Sequence, residues 1–507
     1  MKQEKIYTVK LSHLLFGIFA GSIFAAKGLG LYDGQLIFKI VLILAGISWI
    51  IKIFLTDYTS KELLECLGIL VLGTISYIIS GDKGLLLYIM LLVGAKDIET
   101  KKILQIALWI WGIVFIGITT VTSLHIIDGP FKVHVKWGEL IIRWGLGYSH
   151  PNVLHVSYLI LCLLIGYFLA ERVNMKWICA MAIGNILIFL YSVSFTGAIV
   201  VFIYLAMEMY FFVFKQNIGL KENILIKVIA IACVLVSLIA PVLLKGRLFD
   251  IVNRLVNTRL NLSRRYLMEY PVSLLGHKIS EITDRSATMD CSYVYAYVAY
   301  GIIVFAFLLI TYGRMICEFC KKNRIKELTV ILACLIAGIT EPFLFNSSFK
   351  NISILFAKEC KEKCGRSKII WNGSRFDKKI KLPYLNARIR YREILVYRKK
   401  MIISFIITCG IGMLITGAVI KSPERIIVPR SESDLDQSDY AERNIENSDI
   451  APEDIVYGVP RDGTPWMKLE GNALKLEKIR SMVAYSCIFG AGVVMIEGIY
   501  FRCKKRA

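Results

Sequence analysis

Histidine is scarce in this chain, six in 507 residues, and none follows His277. The cysteine pairs that lie beyond it have no histidine near them in the sequence, though together they could offer four thiolates to zinc. Those cysteines, Cys317/Cys320 and Cys360/Cys364, are separated by two predicted membrane crossings and read as reduced, structural thiols. Of the thirteen cysteines only Cys291 falls on the predicted outer side, so no disulfide framework follows. Acidic residues are also few, 39 against 61 lysines and arginines. Residues 11–30 are too long for a signal-peptide core and carry no convincing cleavage site, which makes them a first span. No internal repeat points to a transporter built from two halves.

What the chain has in abundance is apolar sequence: 56% hydrophobic residues and a mean hydropathy of +0.60. Runs long enough to cross a hydrocarbon core recur near 11–30, 36–55, 63–80, 84–96, 103–123, 153–170, 176–193, 196–214, 228–244, 293–312, 327–344, 401–420 and 482–501. A brief piece at 350–357 adds a further crossing, giving an all-α, polytopic transmembrane protein of thirteen or fourteen spans. The net charge of +22 orients such a chain and meets anionic lipid; it does not call for nucleic acid.

Charge divides the connections. Residues 358–400 hold fifteen Lys/Arg against four acids and are expected to stay inside, with both termini. Loops 124–151, 245–292 and 421–481 are expected outside. The middle of the last, 431–470, carries eleven acids against three bases; disorder is expected near 431–449 and more order around 456–474. Three parts result: a core, 1–357, a basic inner segment, 358–400, and a two-span extension, 401–507.

The first outer loop alternates apolar and polar residues from Phe131 to Trp137, as one short strand would. It ends in Arg143-Trp-Gly-Leu-Gly-Tyr-Ser-His150-Pro-Asn152, which puts a guanidinium, an imidazole and a carboxamide within ten residues. His150 either shapes the start of the next helix, where Asn152 is suited to cap, or takes a proton from a sugar hydroxyl. The second loop holds Arg247, Arg254, Arg259, Arg264, Arg265 and Arg285 with His277 and Lys278. Leu248, Ile251, Val252 and Leu255 recur there at helical spacing, as in an interfacial amphipathic helix. Several guanidiniums on one membrane face suit a pyrophosphate, which they grip with two hydrogen bonds each, although any single one serves equally well on headgroups or loop carboxylates. Asp290, at the edge of the next span, is placed to accept from a hydroxyl, pair with an arginine or cap the helix.

Together these residues resemble the polysaccharide repeat-unit polymerases of bacterial envelopes, the Wzy-type members of the O-antigen polymerase and ligase superfamily. The resemblance runs over residues 1–357. It rests on residues 143–152, on Thr258-Arg259-Leu260, Tyr270-Pro271, Leu275-Gly276, Asp290-Cys-Ser-Tyr293 with Gly301, and on Glu341-Pro342 with Asn351. Where such proteins often carry Ser-Arg-Thr-Gly, this chain has Ser194-Phe195-Thr196-Gly197, and 358–507 matches nothing in the family. The resemblance implies a helical GT-C-type fold and transfer of an undecaprenyl-pyrophosphate-linked glycan to a hydroxyl of a second lipid-linked repeat, outside the bacterial plasma membrane. Arg143 and Arg259 would then serve the pyrophosphate, with Arg264, Arg265, Asn152, His277 and Lys278 as further substrate contacts. His150, and after it Asp290, would orient or deprotonate the acceptor. No metal or other cofactor is expected. A ligase would share the site, and a transporter would place its polar residues along a mid-membrane path instead. The acidic segment is expected to be an accessory that engages a partner or governs chain length, so that a chain cut after Lys400 still joins repeats.

Overall fold

The computed structural model describes the chain except residues 1–5, 32–33, 125, 128, 130, 137–138, 170–174, 257–258, 279–288, 347–348, 361–368, 384–386, 422–424, 428–456, 459–465, 469–470 and 505–507. Arg285, Cys364 and the 431–449 stretch lie outside the described residues.

A helical bundle is built from α1 (Leu11–Gly28), α2 (Leu36–Phe54), α3 (Ser60–Ser80), α4 (Gly84–Gly94), α5 (Thr100–Ser123), α6 (Pro151–Leu169), α7 (Met175–Ser192) and α8 (Phe195–Glu208). A π-helical turn, Met209–Phe214, prolongs α8. The second half adds α9 (Leu220–Leu238), α10 (Ala240–Leu243), α11 (Gly246–Leu255), α12 (Arg259–Glu269), α13 (Ser292–Lys321) and α14 (Ile325–Ala337). Two long C-terminal helices follow, α15 (Ala387–Val419) and α16 (Gly471–Lys504).

Among the described residues, ten helices are long and apolar enough to cross a membrane. That is fewer than the thirteen or fourteen runs of the sequence, for physical reasons. Run 84–96 yields an eleven-residue helix and 327–344 a thirteen-residue one. Run 350–357 winds as a 3-10 helix, Ile352–Cys360, and α9 carries Lys221, Glu222 and Lys227. α6 and α13 are central, with residues such as His155, Leu163, Val294 and Ala299 fully enclosed, whereas α2 and α9 show Ile43, Leu44, Ile231 and Leu235 outward.

The two ends of the bundle differ. At one end strand β1 (Ile6–Lys10) pairs with β6 (Lys379–Pro383), and β2 (Tyr58–Thr59) with β5 (Ile369–Trp371), so the basic segment is laid across the helix ends. Ser12 donates to Asp377 there, and the Lys358 ammonium caps the carbonyls of Ala95 and Ile98 that end α4. At the other end lie the hairpin β3 (Phe131–Lys136)–β4 (Glu139–Trp144), helices α10 to α12, and the turn 338–351. The N-terminus of α16 reaches this end too, next to a three-stranded sheet of β7 (Arg425–Ile427), β9 (Trp466–Lys468) and β8 (Tyr457–Gly458).

Two expectations for the loops are met, the second with an extension. The apolar spacing from Leu248 does form a helix, α11, which leaves Leu248 and Ile251 exposed. The alternation from Phe131 forms β3, but with a partner strand that carries Arg143.

Candidate functional site

Arg143 enters the site from β4, a strand covered on both faces: Ile141, Ile142 and Arg143 are all buried. Its Nε donates to the Ser192 carbonyl at the end of α7 (2.8 Å), and Nη2 donates to Asn152 Oδ1 on α6 (2.7 Å). Opposite it in the hairpin stands Lys132, whose pKa is lowered by burial and by the Arg143 guanidinium.

His150 precedes α6 as its cap. Its carbonyl accepts from Leu154 N–H, its Nδ1 accepts from Asn152 N–H at 3.1 Å, and Pro151 occupies the first helical position, where no N–H is needed. Asn152 is not the cap; its carboxamide faces Arg143 instead. With Nδ1 held as an acceptor, a neutral His150 ring carries its proton on Nε2 and presents a donor.

Beneath Arg143 lies a residue the sequence reading passed over. His155, one turn into α6 and fully buried, contacts Ser192 Oγ (2.9 Å) and Asn185 Oδ1 (2.7 Å), and Asn185 Nδ2 donates to the Ala198 carbonyl. Gly197 sits directly on the imidazole, where a Cβ would come within 2.7 Å of ring carbon Cγ. Gly197 is thus needed for α8 to approach α6.

Arg259, the first residue of α12, is buried between two carboxylates. Its Nη2 lies 3.2 Å from Glu341 Oε1 and its Nε 3.4 Å from Asp290 Oδ2. Thr196 Oγ1 donates to the same Glu341 oxygen at 3.3 Å, so the residue after Phe195, which stands where an arginine is often found, supplies a hydroxyl to this cluster. Glu341 is held in place through its backbone: Ser292 Oγ donates to its carbonyl, and Ser292 N–H donates to Gly338 O. Lys350, also buried, donates to the Val153 carbonyl at 3.2 Å, faces the Tyr148 ring at 5.8 Å, and is an electrostatic neighbour of Glu341. Val153 follows Asn152, and Thr196 lies four residues beyond Ser192. The Arg143 and Arg259 clusters are therefore contiguous.

The remaining expected contacts are engaged elsewhere. Arg264 donates to the carbonyls of Pro241 and Leu244, the orphan acceptors around α10, and stacks on Phe249. Arg265 pairs with Glu269 one turn along an exposed face. His277 Nε2 is 2.8 Å from the Pro271 carbonyl, and Lys278 is exposed. The loop before them is stitched into a break in α13. Gly301 leaves the helix with φ 77°, and the freed N–H groups of Ile302 and Ile303 donate to Ser273 O and Leu274 O, while His277 N–H donates to Val298 O. Gly276, at φ 91°, packs against this break so closely that a side chain there would meet the Ala299 carbonyl.

Set against known proteins, the chain matches no family model, no curated protein and no solved structure. The site must be read from its own chemistry. It offers two buried guanidiniums and a buried ammonium, two carboxylates, and a histidine that caps a helix, all at one end of an apolar bundle. Glu341 and Thr196 stood out only as parts of a resemblance. Lys350 and His155 gave no signal beyond a polar residue in apolar surroundings.

Proposed function

We propose that this protein is a glycosyltransferase that polymerises undecaprenyl-pyrophosphate-linked oligosaccharide repeats on the outer face of the bacterial plasma membrane, through a helical GT-C-type fold. What carries the reading is the contiguous cluster of Arg143, Arg259 and Lys350 with Asp290 and Glu341. Three cations meet the charge that develops on a leaving pyrophosphate, and a carboxylate beside them accepts the proton of the attacking hydroxyl. In the proposed step the acceptor hydroxyl oxygen attacks the anomeric carbon of the donor glycan. The bond from that carbon to the pyrophosphate oxygen breaks, the hydroxyl proton passes to Glu341 or Asp290, and undecaprenyl pyrophosphate departs. His150 orients the acceptor through its ring N–H.

The cluster lies at the end opposite the basic 358–400 segment, and a segment so rich in lysine and arginine is retained inside. The reactive end then faces out, where lipid-linked repeats are joined. The arginines suit the task because a guanidinium binds two phosphate oxygens in one plane.

The test uses the purified full-length protein in lipid vesicles with undecaprenyl-pyrophosphate-linked repeat units. A ladder of lipid-linked oligomers is expected, and it should vanish with Arg143→Ala and Arg259→Ala. A single product in which the glycan has moved to a different acceptor would mark a ligase. No glycosidic product at all from a correctly inserted protein would end the proposal.

A further inference from the structure

The acidic outer segment 421–481 was expected to be an accessory, attached beside the catalytic helices by its two flanking spans. Helix α16 begins at Gly471, well before the apolar run at 482, and this early portion docks on the hairpin that carries Arg143. Ala473 is buried with Ile141, Ile142 and Val193, and Phe131, Trp144, Phe189, Leu474 and Leu476 pack around them in a small core of their own.

At the centre of this contact lies Arg480, 3% exposed. Its Nε donates to Leu190 O (2.6 Å), Nη2 to Tyr191 O (3.3 Å) and Nη1 to Ile142 O (2.8 Å). Glu477 pairs with the same guanidinium and also accepts from the Trp144 indole N–H at 3.4 Å. Arg143, between Ile142 and Trp144, takes the next carbonyl of α7, that of Ser192. Three consecutive carbonyls in the last turn of α7, which have no partner within the helix, are thus shared out between two arginines. α16 is joined in turn to α15 along its length, with Ser404 Oγ donating to Glu497 at 2.7 Å.

We infer that Arg480, with Glu477, is a positioning residue for Arg143: the C-terminal helix pair clamps β4 to the end of α7 and so sets where the Arg143 guanidinium sits. Its meaning for catalysis rests on the polymerase reading; the clamp itself does not. Backbone carbonyls cannot be removed by substitution, so their donor is the informative position. A lysine there keeps the charge but cannot reach three carbonyls on two elements with one planar group.

Hydrogen exchange on the full-length protein in nanodiscs tests the clamp without reference to activity. Arg480→Lys and Arg480→Ala should each speed exchange across Glu139–Trp144 by about tenfold or more, the scale of a lost charge-assisted hydrogen bond. Exchange in the β1–β6 sheet at the opposite end should not change. In the polymer assay, Arg480→Lys should lower kcat and kcat/KM together severalfold, since Arg143 acts on charge that develops in the transition state. Combined with Arg143→Lys it should add little further. Unaltered exchange at Glu139–Trp144 in both variants would overturn the clamp, and so would Arg143 and Arg480 effects that simply add. Should the wild type make no polymer while the exchange result holds, the clamp stands and the polymerase reading falls.

Discussion

Arg259 and Glu341, 82 residues apart in the chain, meet at 3.2 Å inside the bundle, and Thr196 donates to the same carboxylate oxygen. The contact joins α12, the turn after α14 and the start of α8 at one point.

Arg259→Lys should keep the protein abundant while abolishing most polymer, because charge is retained and the planar fork is lost. Arg259→Ala should lower abundance as well. It leaves the buried Glu341 without its cation, at a cost of about 3–5 kcal/mol. Comparing membrane-inserted protein with polymer yield for the two variants separates the effects; equal polymer from Arg259→Lys and wild type would exclude a bidentate role.

Glu341→Gln retains a partner for Thr196 and Arg259 but removes the proton acceptor. If Glu341 is the base, polymer formation should fall on the order of 100-fold or more, and Asp290→Asn should fall much less. The reverse order would assign the base to Asp290. Single-turnover rates on reconstituted protein decide between them.

His150→Asn should preserve the cap on α6, whereas His150→Ala should cost about 1 kcal/mol of local stability. Both should slow polymer formation if the ring N–H orients the acceptor. Full activity in the asparagine variant, measured beside its thermal unfolding, would reduce His150 to a cap.

Topology can be checked with single cysteines at Leu248 and Lys379, both exposed. An impermeant thiol reagent applied to intact cells should label the first and leave the second untouched. Labelling at Lys379 would turn the molecule over in the membrane and place the Arg143 and Arg259 clusters inside.

The helices were largely legible, since an unbroken apolar run of span length has few alternatives to a helix in lipid. β4 was not. Its consecutive residues Ile141, Ile142 and Arg143 are all buried, so the alternation that betrayed β3 is missing from it. The start of α16 escaped because hydropathy rises only at 482, although Gly471–Ser481 is already helical and carries the Glu477–Arg480 contact. A chain cut after Lys400 would lose this contact with the hairpin. Among the arginines, counting charges could not separate Arg143 and Arg259 from Arg264. What distinguishes Arg264 is a pair of backbone carbonyls brought close by the bend between α9 and α11. Such partners belong to the fold and leave no mark on local sequence.

The 3-10 segment Ile352–Cys360 has a consequence for how this chain tolerates change in length. Wound at about 2.0 Å per residue, its nine residues cover about 18 Å, where an α-helix would cover about 13.5 Å. Lys350 lies just before it, fixed on Val153, and Lys358 lies near its far end, fixed on Ala95 and Ile98. The segment therefore works as a ruler between two anchored amines. One residue inserted or removed would displace one amine by about 2 Å and rotate it by about 120°. Lys350 would leave Glu341, or Lys358 would leave the end of α4, even though no side chain had been replaced.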